Sequence, residues 1–576
     1  MAHPSRAEAA SGSDDGAEIG VLPRRSAPPT PPRTPDEEAI LTIWREVLER
    51  PDIGVLDDFF DLDGNSMHAI KVISRIREAY GVSIRAIDFF ESPTVAALAA
   101  FVAANAPSER AVVRPRRPDA EPVLSFDQHR LWLVDQLVPG GAYNVHGRRR
   151  LLGPLRVAVL ETSIREIMRR HETLRTRFPD IDGEPLQVVD DLDEEWRLRV
   201  VDVSDADDQV RAAERVLDED AMASCDLAQG PLFRALLVRL SDTDHVLGIT
   251  AHHTVCDNGS VALFVKELSA LYRADGDPRE ADLPPLPIQY RDFAVWQREL
   301  LASDTVARQL DYWGEHLAGA PAELTLPVAE RPAAVNGSAD SADSAGDGGD
   351  GGSGSGGGGG RVRSALPAAE ATALRELCRA TDTTVFMALL AALTAVLGRW
   401  SGQRDVVVGV PITGRLDAGT RGLIGLFFNT LPIRMDLRDT TTFAEALTRA
   451  RESALGGYGN ADVPLDLVVR RVRPPRIADR TPLFQVVLNV VDSDRSSNGL
   501  GDIDDEPMDS PVMPSKLDFV LTGKELDGEI PLELEFDADR YDEARMLLLL
   551  DEVRALLRAA CADPATAVFD DQPHHP

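Results

Sequence analysis

The chain has 576 residues, too many for one hydrophobic core, and a share of about 100–200 residues per domain implies roughly three or four units. Its 43% apolar, 5% aromatic and 27% charged residues fit a globular protein, and no apolar run reaches the length of a transmembrane helix, so a membrane is not an expected partner. A formal net charge of −34 repels phosphate backbones and removes the counterion-release term behind most nucleic-acid binding, which excludes nucleic acid from the expected partners as well.

The opening MAHPSRAEAASGSDD carries prolines and charges where an export signal would carry an apolar stretch, so a cytoplasmic location is expected. Residues 1–33 lack any apolar period and read as a flexible leader. Thr34-Pro35-Asp36-Glu37 then has the form of a capping box with proline at the first helical position, followed by Ile40, Ile43, Trp44, Val47 and Leu48 at helical spacing. Further helices are expected near 66–79 and 94–104, closing a small all-α unit over 34–106.

A Pro/Arg-rich linker over 107–120 leads into alternating strand and helix patterns. These are interrupted at 333–360 by a Gly/Ser/Asp-rich insertion that no packed element can contain. The division expected is an N-terminal lobe over 121–332, a C-terminal lobe over 361–563 and a tail over 564–576. Cys225, Cys256, Cys378 and Cys561 lie far apart with no C-x-x-C pair and read as free thiols, with no metal site expected.

Within DDFFDLDGNSMHAIKVISRI, Ser66 follows an acidic, Gly-containing turn and precedes apolar residues at helical spacing, which makes it an N-cap candidate. Asp58, Phe60, Gly64 and Ser66 resemble the attachment site of peptidyl carrier domains, with Asp63 where a first glycine is common. The resemblance implies that a phosphopantetheinyl transferase attaches 4'-phosphopantetheine to Ser66, and that the unit is a four-helix carrier bundle.

In ITAHHTVCDNGSVALFVKEL an apolar strand ends at His252-His253 and a helix begins just beyond Asp257 and Ser260, a place where α/β proteins present reactive groups. The segment resembles the H-H-x-x-x-D-G motif of the condensation domains of nonribosomal peptide synthetases. SFDQHRLWLVDQL at 125–137, RRHETLRTRF at 169–178, YRDFAVWQ at 290–297, VGVPITGR at 408–415, IGLFFNTLPIR at 424–434 and RTPLFQVVLNV at 480–490 follow in that family's order.

The resemblance implies a multidomain chain in which the carrier precedes an α/β domain of two chloramphenicol-acetyltransferase-like lobes, bridged by the VGVPITGR segment. It implies secondary-metabolite (antibiotic) biosynthesis in which a donor on Ser66 is passed to an amine on a downstream carrier. His253 then manages the amine's proton, His252 supports the loop, and Asp257 pairs structurally with Arg170, with Arg175 as the fallback. An adenylation domain and a downstream carrier are expected in trans. An ester-forming reaction and a non-catalytic recruiting platform are the competing readings. The sequence departs from the family pattern at Asn258, where a glycine is usual, at Asn460 to Leu465, where H-x-D-x-P-F is common, and at Asp127, where a small residue is usual.

Overall fold

A computed structural model of the chain describes residues 29–106, 113–328 and 358–569, except positions 63, 118, 138–140, 194, 416, 476, 478–479, 493–498, 513–516 and 527. Most of the expected leader, most of the Gly-rich insertion, the end of the tail and Asp63 therefore lie outside the described residues.

The first unit is built from the helices Pro35–Val47, Ser66–Tyr80, Ala86–Glu91 and Val95–Ala104. Thr34 caps the first, its side chain accepting from the Glu37 N–H at 3.1 Å. The Glu37 carboxylate reaches the Arg33 N–H at 2.6 Å rather than the cap residue's own, so the reciprocal half of the expected capping box is shifted by one residue. Trp44, Phe59 and Phe89 fill the interior, with ring centroids 4.8 Å apart for Trp44–Phe59 and 5.0 Å for Phe59–Phe89. Edge-on aromatic packing of this kind concentrates burial in few residues, as so small a bundle requires.

The rest of the chain carries two mixed sheets, as the resemblance implies. The first has the strand order Asp504–Pro507, Asn144–Leu152, Asp244–His252, Phe233–Ser241, Arg199–Asp202. The second runs Phe428–Asp436, Asp405–Thr413, Val486–Asp492, Phe519–Glu525, Ile530–Asp537, Gly359–Leu366. The helix Val385–Ser401 lies wholly inside the second half, buried from Val385 to Gly398, which explains a sequence apolar on every face. No single described helix is long and apolar enough to cross a bilayer, and the pair Ala368–Ala380 and Val385–Ser401 is bent by 102°.

Two boundaries differ from the sequence reading. The last strand of the second sheet begins at Gly359, inside the expected insertion, because Gly359 and Gly360 pair with Asp537 and Phe536. The strand Asp504–Pro507, expected to belong to the C-terminal lobe, crosses to the first sheet and pairs with Arg149–Leu152, where Arg149 is ion-paired with Asp505. An acidic four-residue strand lacks the alternation from which a strand is read.

Candidate functional site

Ser66 is the first residue of its helix, not the cap. Asn65 caps instead, accepting from the His68 N–H at 2.9 Å, which leaves the Ser66 hydroxyl to face outward from the bundle. The turn before it is set by Asp58, which accepts the Phe60 N–H at 2.8 Å, and by Gly64, where any Cβ would strike the Phe59 ring and carbonyl. The Ser66 hydroxyl meets the second half of the chain: its Oγ is 2.9 Å from Thr384 Oγ1, and Tyr458 lines the same small void beside it. Ser66 is only 4% exposed as a result. Arg421 joins Glu78 of the same carrier helix at 2.7 Å, and the helix Ala86–Glu91 lies against Phe443–Gly459.

The His252-His253 turn closes the strand Asp244–His252. Strand Asn144–Leu152 pairs Asn144 with His252, and the His253 N–H donates to the Tyr143 carbonyl at 2.8 Å. Gln128 of the opening motif, buried, donates to the Thr254 carbonyl at 3.1 Å and so holds the turn from the other side. His253 Nδ1 lies 2.8 Å from the Cys256 carbonyl. A carbonyl can only accept, so Nδ1 carries the proton and Nε2 keeps its lone pair. Burial lowers the His253 pKa against the opposing charge of Asp257, so the ring is neutral and basic at cellular pH. Its ring packs on Phe428 at 4.9 Å between centroids.

His252 has the opposite tautomer. The Thr254 N–H donates to its Nδ1 at 3.3 Å, and burial pushes its pKa down to about 3, so it is a neutral, fully enclosed support for the loop. Cys256 is equally enclosed, and burial drives its thiol far above the ordinary range, which removes it as a nucleophile.

Asp257 does not pair with Arg170 or Arg175. Arg415 takes it in a two-point grip, NH1 to Oδ2 and NH2 to Oδ1, both at 2.8 Å. Oδ1 also caps the helix Asn258–Arg273 through the Ser260 N–H at 2.7 Å, and Oδ2 accepts the Phe427 N–H at 3.0 Å. Burial opposes the charge, but Arg415 and these N–H groups together hold the Asp257 pKa below its ordinary value. Arg170 instead binds Glu267 at 3.0 Å, and Glu267 also bonds His171 at 2.9 Å. Arg175 reaches the Asp190 carbonyl. The second motif thus fastens onto the middle of the motif helix rather than onto its N-terminal aspartate.

The bridge between the halves is therefore segment 414–427, just after the strand that holds most of VGVPITGR. Ser260 Oγ donates to the Gly425 carbonyl at 2.9 Å, Thr173 Oγ1 to the Ile424 carbonyl at 3.0 Å and Tyr290 OH to the Leu426 carbonyl at 2.6 Å. The Asn258 departure is absorbed without any left-handed residue, since Asn258 simply begins the helix. Gly259 is the position that needs to be small: a Cβ there would stand 2.9 Å from Arg415 NH1. Asn460 ends its helix by donating to the Gly456 carbonyl at 2.8 Å, and Asn429 clamps the following loop through the carbonyls of Ala461 at 3.1 Å and Val463 at 2.7 Å. Arg415, Gln128, Tyr290 and Asn429 all stand in segments whose family likeness was legible, yet their partners were not.

A cavity of about 150 Å³ opens beside this centre, lined by Phe427, Phe428 and Asn429 and, on the carrier side, by Arg77 and Glu78. A smaller void next to Ser66, lined by Thr384, Phe386 and Tyr458, borders it at Ile412. A four-helix bundle thus sits on a two-sheet α/β body, with the neutral His253 at the turn that the second half holds in place.

Residues 120–571 match the model of the condensation domain, and residues 38–102 match that of the phosphopantetheine attachment site. The chain belongs to the condensation-domain family, preceded by a carrier domain of the kind that bears 4'-phosphopantetheine. It is 34% identical over 545 residues to malpinin synthetase of Mortierella alpina, covering 93% of this chain and 7% of that one. It is 36% identical over 546 residues to phosphinothricin tripeptide synthetase PhsB of Streptomyces viridochromogenes, covering 92% and 44%. The chain thus spans less than half the length of these curated relatives. Among solved structures it is similar to the complex of the X-domain and OxyB from teicoplanin biosynthesis, with TM-score 0.69, 25% identity, and coverage of 81% of this chain and 99% of that chain.

Proposed function

We propose that this chain joins a donor acyl or peptidyl group carried at Ser66 to the amine of an acceptor on a downstream carrier, forming an amide. The observation that carries the reading is the His253 tautomer: Nδ1 is committed to the Cys256 carbonyl at 2.8 Å, so Nε2 is free to accept a proton from the amine. When bound to Ser66, 4'-phosphopantetheine supplies a mobile thiol that holds the donor as a thioester. Ser66 opens its helix with Asn65 as the cap, so its hydroxyl stands at a helix N-terminus, where a phosphate is favoured once the carrier lifts away from Thr384.

An α-amine with a reference pKa of about 7.7–8.0 arrives largely protonated, and a neutral imidazole is suited to take or share that proton as nitrogen attacks. Holding both substrates in one cavity supplies much of the rate. His252 enforces the turn, Asp257 and Arg415 fasten the two halves around it, and Arg170 anchors the motif helix. Retention of this geometry favours catalysis over a purely recruiting platform.

The same reading assigns 34–106 to the carrier, 107–120 to a linker, 121–332 to the first lobe, 359–563 to the second apart from the crossing strand Asp504–Pro507, and the work to the cytoplasm. An adenylation domain, a phosphopantetheinyl transferase and a downstream carrier serve as partners, without nucleic acid or membrane. The test is reconstitution: load Ser66 with a donor, offer amine- and hydroxyl-bearing acceptor surrogates, and follow products by intact mass. Amide from the amine supports the reading; ester alone, or no product from a loaded and folded chain, contradicts it.

A further inference from the structure

Asp127 is a carboxylate in the wall of the reaction cavity that the chemistry above does not use. It lies in the first turn of the helix Phe126–Leu137, is only 9% exposed, and lines the cavity shared with Phe427 and Phe428. Other acidic groups on that wall are occupied: Glu78 by Arg421 at 2.7 Å, Asp462 by Gln309 Nε2 at 3.0 Å, and Asp417 by the N–H groups of Val113 at 3.3 Å and Gly419 at 3.0 Å. Asp127 has no such donor among the described residues beyond its own backbone N–H. Its nearest cation, Arg130 Nε, is 3.8 Å away, outside hydrogen-bond reach, and the same nitrogen is 3.9 Å from Asp466. That Nε is itself buried without a hydrogen-bond partner. One guanidinium is thus stretched between two carboxylates and satisfies neither through this atom.

A carboxylate this enclosed, with no partner from the protein, is completed from the cavity it lines, by water or by a ligand. Burial accordingly raises its pKa to about 6. Interaction with the helix dipole does not account for the position, since an exposed acid in the first turn serves that purpose without desolvation. The surrounding wall is aromatic, from Phe293, Trp296, Phe427 and Phe428, and Phe428 also packs on the His253 ring. Aromatic faces and one unfilled carboxylate complement an aliphatic stem that ends in a positive charge.

We propose that Asp127 is a specificity-determining residue that selects a substrate whose side chain ends in an amine or guanidine, the stem lying on Phe427 and Phe428 and the charge meeting the carboxylate. The proposal rests on this cavity being the one in which condensation takes place. Either substrate can bring such a group, so the test has two arms. In one, Ser66 of the full chain is loaded with lysyl or norleucyl donor and reacted with glycyl-pantetheine amide. In the other, an alanyl donor is held constant and lysyl- or norleucyl-pantetheine amide is the acceptor. Single-turnover rates are compared in the wild type and in Asp127→Asn, which keeps the shape, with calorimetric binding of the two pantetheine amides alongside.

We expect the lysyl substrate to be favoured over norleucyl by about tenfold or more in one arm, and the ratio to collapse towards unity in Asp127→Asn. The arm that responds identifies the substrate. A wild type indifferent to charge in both arms overturns the proposal, as does a preference that Asp127→Asn retains. Failure of the reaction itself is seen separately, as absence of norleucyl product. The calorimetric preference and the melting temperature of each variant still report on acceptor selection and folding in that case.

Discussion

Arg415 and Asp257 face each other across 158 residues of chain, both guanidinium ends held to both carboxylate oxygens at 2.8 Å. The pair is almost closed to solvent and also organises Ser260 and Phe427, so it fastens the catalytic turn of one half to segment 414–427 of the other. Asp257→Ala or Arg415→Ala strands a buried charge and should cost about 3–5 kcal/mol of stability. A chemical-denaturation double-mutant cycle should show strong coupling between the two and none between Asp257 and Arg170.

The carrier interface makes its own prediction. In the docked arrangement Ser66 is covered by Thr384 and Tyr458, so a modifying enzyme reaches it only when the carrier lifts away. Glu78→Lys or Arg421→Glu should therefore speed phosphopantetheine addition measured by intact mass, and the charge-swapped double variant should slow it again. Equal rates in all four proteins would show that this ion pair does not govern docking.

The pH dependence of stability has a sign set by the enclosed groups. His252 has a folded pKa of about 3 against roughly 6.5 when unfolded, so the unfolded state binds the extra proton and stability falls as pH drops from about 6.5 towards 3. His253 and Asp257, both lowered, act in the same sense. Asp127 opposes them: its pKa of about 6 exceeds the unfolded value of roughly 3.9, so it costs stability as pH rises through that interval. Melting curves should place Asp127→Asn above the wild type by more at pH 8 than at pH 5.

Motifs that are short and contiguous were legible without coordinates. Ser66 before a helix and His253 at a strand end are local arrangements, and the family order of the flanking segments followed from them. The partner of Asp257 was not legible, because any arginine brought near by the fold satisfies a carboxylate, and only the path of 414–427 decides that it is Arg415 rather than Arg170. The crossing strand Asp504–Pro507 was missed for a related reason: backbone pairing and an Arg149–Asp505 ion pair hold it, not an apolar stripe. Ser66 was placed one residue off because Asn65 is an equally good cap, and serine and asparagine compete for that position on nearly equal terms.

The measurement that bears most directly on the account is the single-turnover rate of amide formation from a Ser66-loaded donor, followed by intact mass in the wild type and in His253→Ala. With Nε2 as the group that manages the amine's proton, the variant should melt close to the wild type, load fully and lose about 10²–10⁴ in rate. A loaded, folded His253→Ala protein that forms amide at the wild-type rate would contradict it.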